Sequence, residues 1–196
     1  MNVTNGSTFS SSQRRTIVTV ATVIAVAALS RLIPHWPNVT PVMALALVGG
    51  ATLPTRKLAA FIPLAAMVLS DLALGVFLGW EYAVHPTQWA VYGSLVAMTV
   101  YGRRFHDASV LRTTVLGGTV AGVGFFLVTN FAVWLQGGFY PMTVEGLAAC
   151  YAAGMAFYRD GGNFLLNGIV STWAYTAVML SLAQVLRSVP LSTARR

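Results

Sequence analysis

Long apolar runs alternate along the chain with short connections rich in proline, aromatics and polar side chains. The runs are Thr16–Leu32, Val42–Leu53, Leu58–Trp80, Trp89–Tyr101, Val110–Leu135 and Asn163–Leu186. A helix crossing a hydrocarbon layer of about 30 Å needs about 20 mainly apolar residues, so the pattern predicts six membrane-spanning helices, the second and fourth of them short. Arg31-Leu-Ile-Pro-His-Trp-Pro-Asn-Val-Thr-Pro41 cannot continue the first helix, because each proline fixes φ and removes a backbone donor. Non-helical backbone of this kind is tolerated at a membrane only at its surface or lining a protein cavity. Within the connection Gln136–Gly162, the stretch Thr143–Tyr158 is too short to span and begins beside Glu145. It reads as a surface or re-entrant helix. The expected fold class is therefore all-α, a polytopic membrane helical bundle of six transmembrane helices with a short capping helix on the outer face. Residues 1–13, rich in Ser, Thr, Asn and Gly, read as a disordered tail, 14–187 as one six-span domain, and 188–196 as a basic C-terminal tail.

Composition sharpens this picture. Charged residues make up 9% of the chain and hydrophobic ones 56%, with mean hydropathy +0.69, whereas a soluble domain carries about a quarter charged residues. A net charge of +7 suggests nucleic acid, but the basic residues sit in short clusters between apolar runs, as topology signals do, and no nucleic-acid partner is expected. With six spans, Arg14, Arg15, Arg56, Lys57, Arg103, Arg104, Arg112, Arg187, Arg195 and Arg196 fall on one side and Arg31 and Arg159 on the other, which puts both termini in the cytoplasm. A signal peptide is the rival reading of the first run, since Ala25-Val-Ala27 resembles a cleavage site.

Polar side chains crowd toward the outer half. Asp71 lies nine residues before Trp80, about 13 Å below the outer boundary at 1.5 Å per residue. A carboxylate at that depth costs on the order of 3 kcal/mol and should face a partner or a wet cavity. Arg31 is the expected partner. Three readings stay open: a structural ion pair, a ligand-contacting or ion-coupled pair, and a protonated Asp71. Asn130 and Trp134 share a helical face, and Trp173 lies deep enough that its indole N–H needs an acceptor; internal packing is the alternative for each. With His35, Trp36, Asn38, Tyr140, Glu145 and Tyr151 from the outer connections, they form the expected lining of a site for a small organic solute. Ala21 and Ala25, Gly75 and Gly79, and Gly117, Gly118, Gly122 and Gly124 have the small-residue spacing of close helix contacts, within the chain or with a partner subunit.

The sequence holds no Gly-x-Ser-x-Gly, His-Glu-x-x-His, Walker A or Rossmann pattern, so no catalytic residue and no cofactor is expected. The single cysteine, Cys150, excludes an internal disulfide. His35, His85, Glu145 and Cys150 are the conceivable metal ligands, without supporting spacing, so no metal is expected.

Arg31 to Leu47, Ser70-Asp-Leu-Ala-Leu-Gly75, Thr129-Asn-Phe-Ala-Val-Trp134 and Tyr140 to Tyr151 resemble an uncharacterised bacterial family of small six-span membrane proteins assigned to transport. The resemblance covers nearly the whole chain after the tail, and implies the bacterial cytoplasmic (inner) membrane. Met155-Ala156 stands where the family pattern carries an Ile-Pro pair, a change expected to straighten the capping helix. More loosely, the layout is similar to the S-components of energy-coupling-factor transporters, which implies an outer ligand pocket and a coupling-subunit contact at Ala21 and Ala25. The expected function is solute binding and transport, with an accessory or scaffold subunit of a larger membrane complex as the alternative. Expected partners are the lipid bilayer, a small organic solute and other membrane subunits.

Overall fold

The computed structural model describes residues 10–188, and every regular element within them is helical. The segments read as tails lie largely outside the described residues. In order come α1 (Ser11–Ser30), α2 (Val42–Thr52), α3 (Arg56–Leu78), the single turn α4 (Trp80–Ala83), α5 (Gln88–Gly102), α6 (Val110–Leu135), α7 (Val144–Met155) and α8 (Phe164–Ser188). Three of them, α3, α6 and α8, are long and apolar enough to cross a membrane.

Local sequence explains where the helices start. Ser10, Thr55, Ser109 and Thr143 each accept a backbone N–H from the first turn of the helix that follows, satisfying donors that a helix leaves unpaired. At Ser10 the side chain of Gln13 returns a bond to the cap backbone, completing a capping box. With this cap α1 begins at Ser11. A π-helical turn at Thr113–Gly117 interrupts α6 near its start. The capping helix ends at Met155 with Ala156 in an extended conformation, so it stops there without a proline.

The centre of the bundle is α2. Ten of its eleven residues, Val42 to Ala51, are buried. Spanning only about 16 Å, it is enclosed by α3, α5, α6 and α8. Its uninterrupted apolar composition follows, because a helix buried on every side has no polar face. Val42, Met43 and Ala46 pack with Met67, Leu95, Met98 and Ala121 on the surrounding helices. Contact with α5 is close enough to require glycine. A Cβ on Gly50 would lie 2.2 Å from the Thr99 carbonyl oxygen, and one on Gly102 would lie 2.3 Å from that of Leu47. On the other flank, Gly118 and Gly122 of α6 receive Trp173 and Ile169 of α8.

Gly75 and Gly79 differ from the expectation of a helix-contact motif. Gly75 leaves room for the Trp80 ring, and Gly79 has φ +117°, a conformation open to glycine that lets the chain turn from α3 into α4.

Two ends of the bundle are tied by side chains. At one, Arg103 Nη1 donates to the Leu53 carbonyl at 2.8 Å, joining the α2–α3 and α5–α6 connections beside Arg56, Lys57 and Arg104. At the other, Asn38 Nδ2 donates to the Phe164 carbonyl at 3.1 Å and Asn167 Nδ2 to the Pro37 carbonyl at 3.0 Å, pinning the proline-rich loop onto the start of α8. Asn38 itself has φ +65°, a left-handed conformation that asparagine tolerates better than most residues.

Candidate functional site

The site grows from one ion pair at the Arg31 end. Arg31 follows the last turn of α1, and Asp71 lies two turns before the end of α3. Their side chains meet at 2.6 Å and are 18% and 11% exposed. Arg31 Nη1 also donates to Ser70 Oγ and, at 3.4 Å, to the Met67 carbonyl. From the opposite side Gln88 Nε2 and Tyr92 Oη both donate to the second oxygen of Asp71, the tyrosine at 2.8 Å. Gln88 and Tyr92 are four apart on α5, so one helix face delivers both. Three side chains thus compensate a carboxylate that would be costly to bury alone.

This cluster borders a cavity of about 230 Å³. Arg31, His35, Asn38, Thr40, Asp71, His85, Thr87 and Gln88 supply its polar wall; Val42, Met43, Met67, Val91, Leu95 and Phe125 supply the apolar one. The first turn of α2, at Val42 and Met43, forms part of that wall. Asn38, His85 and Thr87 also line a second cavity of about 590 Å³, with Pro37, Thr129, Asn130, Val133, Tyr140, Cys150, Tyr158 and Phe164 among its other residues. The two spaces adjoin at those three residues. We call the first the chamber and the second the vestibule, which α7 covers with Cys150, Ala153 and Gly154.

Of the residues expected from sequence, Arg31, His35, Asn38 and Asp71 come together at the chamber, and Asn130 and Tyr140 line the vestibule. Five line neither space. The half-exposed Trp36 packs beside Gly162. Trp134 Nε1 donates to the Pro141 carbonyl at 2.9 Å, fixing the turn into α7. Tyr151 Oη donates to the Leu127 carbonyl at 3.0 Å and holds α7 on α6. Trp173 Nε1 finds its acceptor in Thr119 Oγ1 at 3.1 Å, as a buried indole requires, but on the α6–α8 face. Glu145 is exposed in the first turn of α7, where its own backbone N–H and the Thr143 hydroxyl hold its carboxyl below the usual range. Even Asn130 spends its amide donor on its own helix, at the Phe126 carbonyl.

Gln88, Tyr92, Thr40 and Thr87 are the site residues that sequence reasoning passed over. The signal for the first two was present, since a polar side chain opening a short apolar span, with a tyrosine one turn later, faces the same neighbour. Ala21 and Ala25 line a third space, an apolar groove of about 580 Å³ between α1 and α3, bordered by Ile24, Phe61, Leu64, Ala65, Val68 and Leu69. Among the described residues no three His, Cys, Asp or Glu side chains gather as a metal site would need.

A helical bundle of this hydropathy, with a largely buried ion pair beside a cavity, defines a membrane-type helical protein. Residues 11–193 match the model of the Family of unknown function (DUF6580). The chain belongs to that family. No curated protein and no solved structure matches it.

Proposed function

We propose that this protein is an integral membrane solute-binding component of a transport system, with the chamber as its ligand site. One observation carries the reading: a cavity of molecular size, walled on one side by a compensated Arg31–Asp71 pair, adjoins a larger vestibule at three shared residues. Ion pairs buried purely for packing do not need an adjoining cavity, and a pocket combining apolar walls with a few polar groups is the usual form of a ligand site. In this reading α1, α2, α3, α5, α6 and α8 are the six spans. The short α2 is shielded from lipid by its neighbours rather than exposed to it. The basic end, with Arg14, Arg15, Arg56, Lys57, Arg103, Arg104 and Arg112, is cytoplasmic with both termini, and the vestibule faces outward. No ATPase motif is present, so a separate module would supply energy.

Native mass spectrometry of gently purified protein tests the proposal. The expected result is a small organic molecule retained by the natural chain and lost in an Asp71→Asn, Gln88→Leu double variant. A chain that carries no organic molecule yet copurifies with stoichiometric membrane subunits overturns it. That outcome fits the second reading, a scaffold subunit, which the apolar groove at Ala21 and Ala25 favours.

A further inference from the structure

Resting on the reading of the chamber as a ligand site, we infer that its ligand is a small organic carboxylate, held by the outer edge of the Arg31 guanidinium with an apolar body directed inward. The donors and acceptors of the chamber are unequally committed. Both oxygens of Asp71 are occupied, one by Arg31 and the other by Gln88 and Tyr92. Every side-chain hydrogen bond of Arg31 to the described residues leaves from a single nitrogen, Nη1. Its Nη2 and Nε have no partner among the described residues, although the side chain borders the cavity.

A guanidinium so placed keeps two parallel N–H groups for a planar oxyanion, the geometry arginine satisfies best. Backbone donors add to the imbalance. Pro41 caps α2 without a side-chain bond, and the first α2 amide with an internal acceptor is that of Leu45, on the Pro41 carbonyl at 2.8 Å. Val42 and Met43 line the chamber, and their amides have no acceptor among the described residues. The positive end of the helix dipole lies on the same side. Of the five acidic residues in the chain, Asp71 is the one that lines the chamber, and it is already paired. A cationic ligand would find no free carboxylate.

Length and volume limit the body. Leu95 lies seven residues below Gln88 on α5, about 10 Å deeper, and Met67, Val91 and Phe125 continue that apolar wall. A cavity of about 150 Å³ holds benzene, so 230 Å³ suits a ring or branched chain carrying one carboxymethyl group.

Calorimetric titration of the full chain in lipid nanodiscs with phenylacetate, phenylacetamide and 2-phenylethylamine tests the inference, since the three share ring and chain length. Phenylacetate should bind at least about tenfold more tightly than the amide, the margin of one charge-assisted bidentate contact, and the amine should bind weakest. In Arg31→Gln, Asp71→Asn, which removes both charges together so that neither is left alone, the carboxylate should lose its advantage. Arg31→Lys, which keeps the charge and loses the fork, should fall between. Equal or tighter binding of the amide or amine overturns the carboxylate assignment and leaves the chamber a ligand site. Failure of all three to bind also overturns it, and the mass spectrum then decides separately whether the chamber holds any ligand.

Discussion

At the scale of single residues, Asp71 has the most consequence. Its carboxylate is mostly buried and is met by Arg31, Gln88 and Tyr92 from two other elements of the bundle. Removing one member of a buried pair strands the other charge, which costs about 3–5 kcal/mol, whereas removing both is far milder. Arg31→Ala should therefore lower the unfolding midpoint in detergent strongly, Asp71→Asn less, and the Arg31→Ala, Asp71→Asn double variant less than the sum of the two. A fluorescence-detected melt of all four proteins measures the cycle; additive losses would mean that the pair is not coupled. The ion pair was legible in the sequence because a carboxylate inside an apolar run demands compensation, and an arginine closes the neighbouring run. The remaining shell was harder to read. Trp134 and Trp173 resembled pocket aromatics, yet a buried indole N–H needs one acceptor of any kind, and a backbone carbonyl or a threonine satisfies it as well as a ligand. Which acceptor it finds depends on tertiary register, and helical spacing does not record that.

At the scale of elements, the lesson is in the short helices. An eleven-residue apolar helix is about half as long as a lipid-exposed span across about 30 Å of hydrocarbon, and the sequence leaves open whether it is tilted, re-entrant or enclosed. Burial of Val42 through Ala51 answers this: α2 is a core, with its capless first turn in the chamber wall. Glycine meaning was equally ambiguous. Gly50 and Gly102 are not among the glycines that the spacing singled out, yet they set the closest backbone approach, while Gly124, inside such a run, has nothing within 4 Å of its Cβ position. Because an added methyl at Gly50 or Gly102 would overlap a carbonyl oxygen rather than a flexible side chain, the helices themselves must move apart. Gly50→Ala and Gly102→Ala should each cost about 1–3 kcal/mol. Gly124→Ala, in a helix interior with open space, should be stabilising by about 0.5–1 kcal/mol. Thermal melts of the three variants check the ordering, and a neutral Gly102→Ala would break the assignment of α5 to direct backbone contact with α2.

At the scale of the whole molecule, the two ends of the bundle differ in charge and in the cavities they hold, and the proposed transport role rests on that asymmetry. One end is tied by Arg103 to the Leu53 carbonyl and carries paired basic residues that resist translocation. The other is tied by Asn38 and Asn167, holds the chamber and vestibule, and is roofed by α7. A transport component with its ligand site toward the outside needs this polarity, so sidedness is the property to measure. Phe139, at the vestibule end, is 84% exposed, and the Asp107 side chain, at the basic end, is 95% exposed; both tolerate a reporter. In a Cys150→Ser background, which removes the sole native thiol, Phe139→Cys should react with a membrane-impermeant maleimide in intact spheroplasts. Asp107→Cys should react only after permeabilisation. The reverse pattern would invert the topology and turn the vestibule toward the cytoplasm, making the chamber an exit or regulatory site. Reaction of both from the same side would require an even number of crossings between them. With α6 the helix between residues 107 and 139, that means α6 does not cross, and the six-span arrangement would fall while the chamber remained.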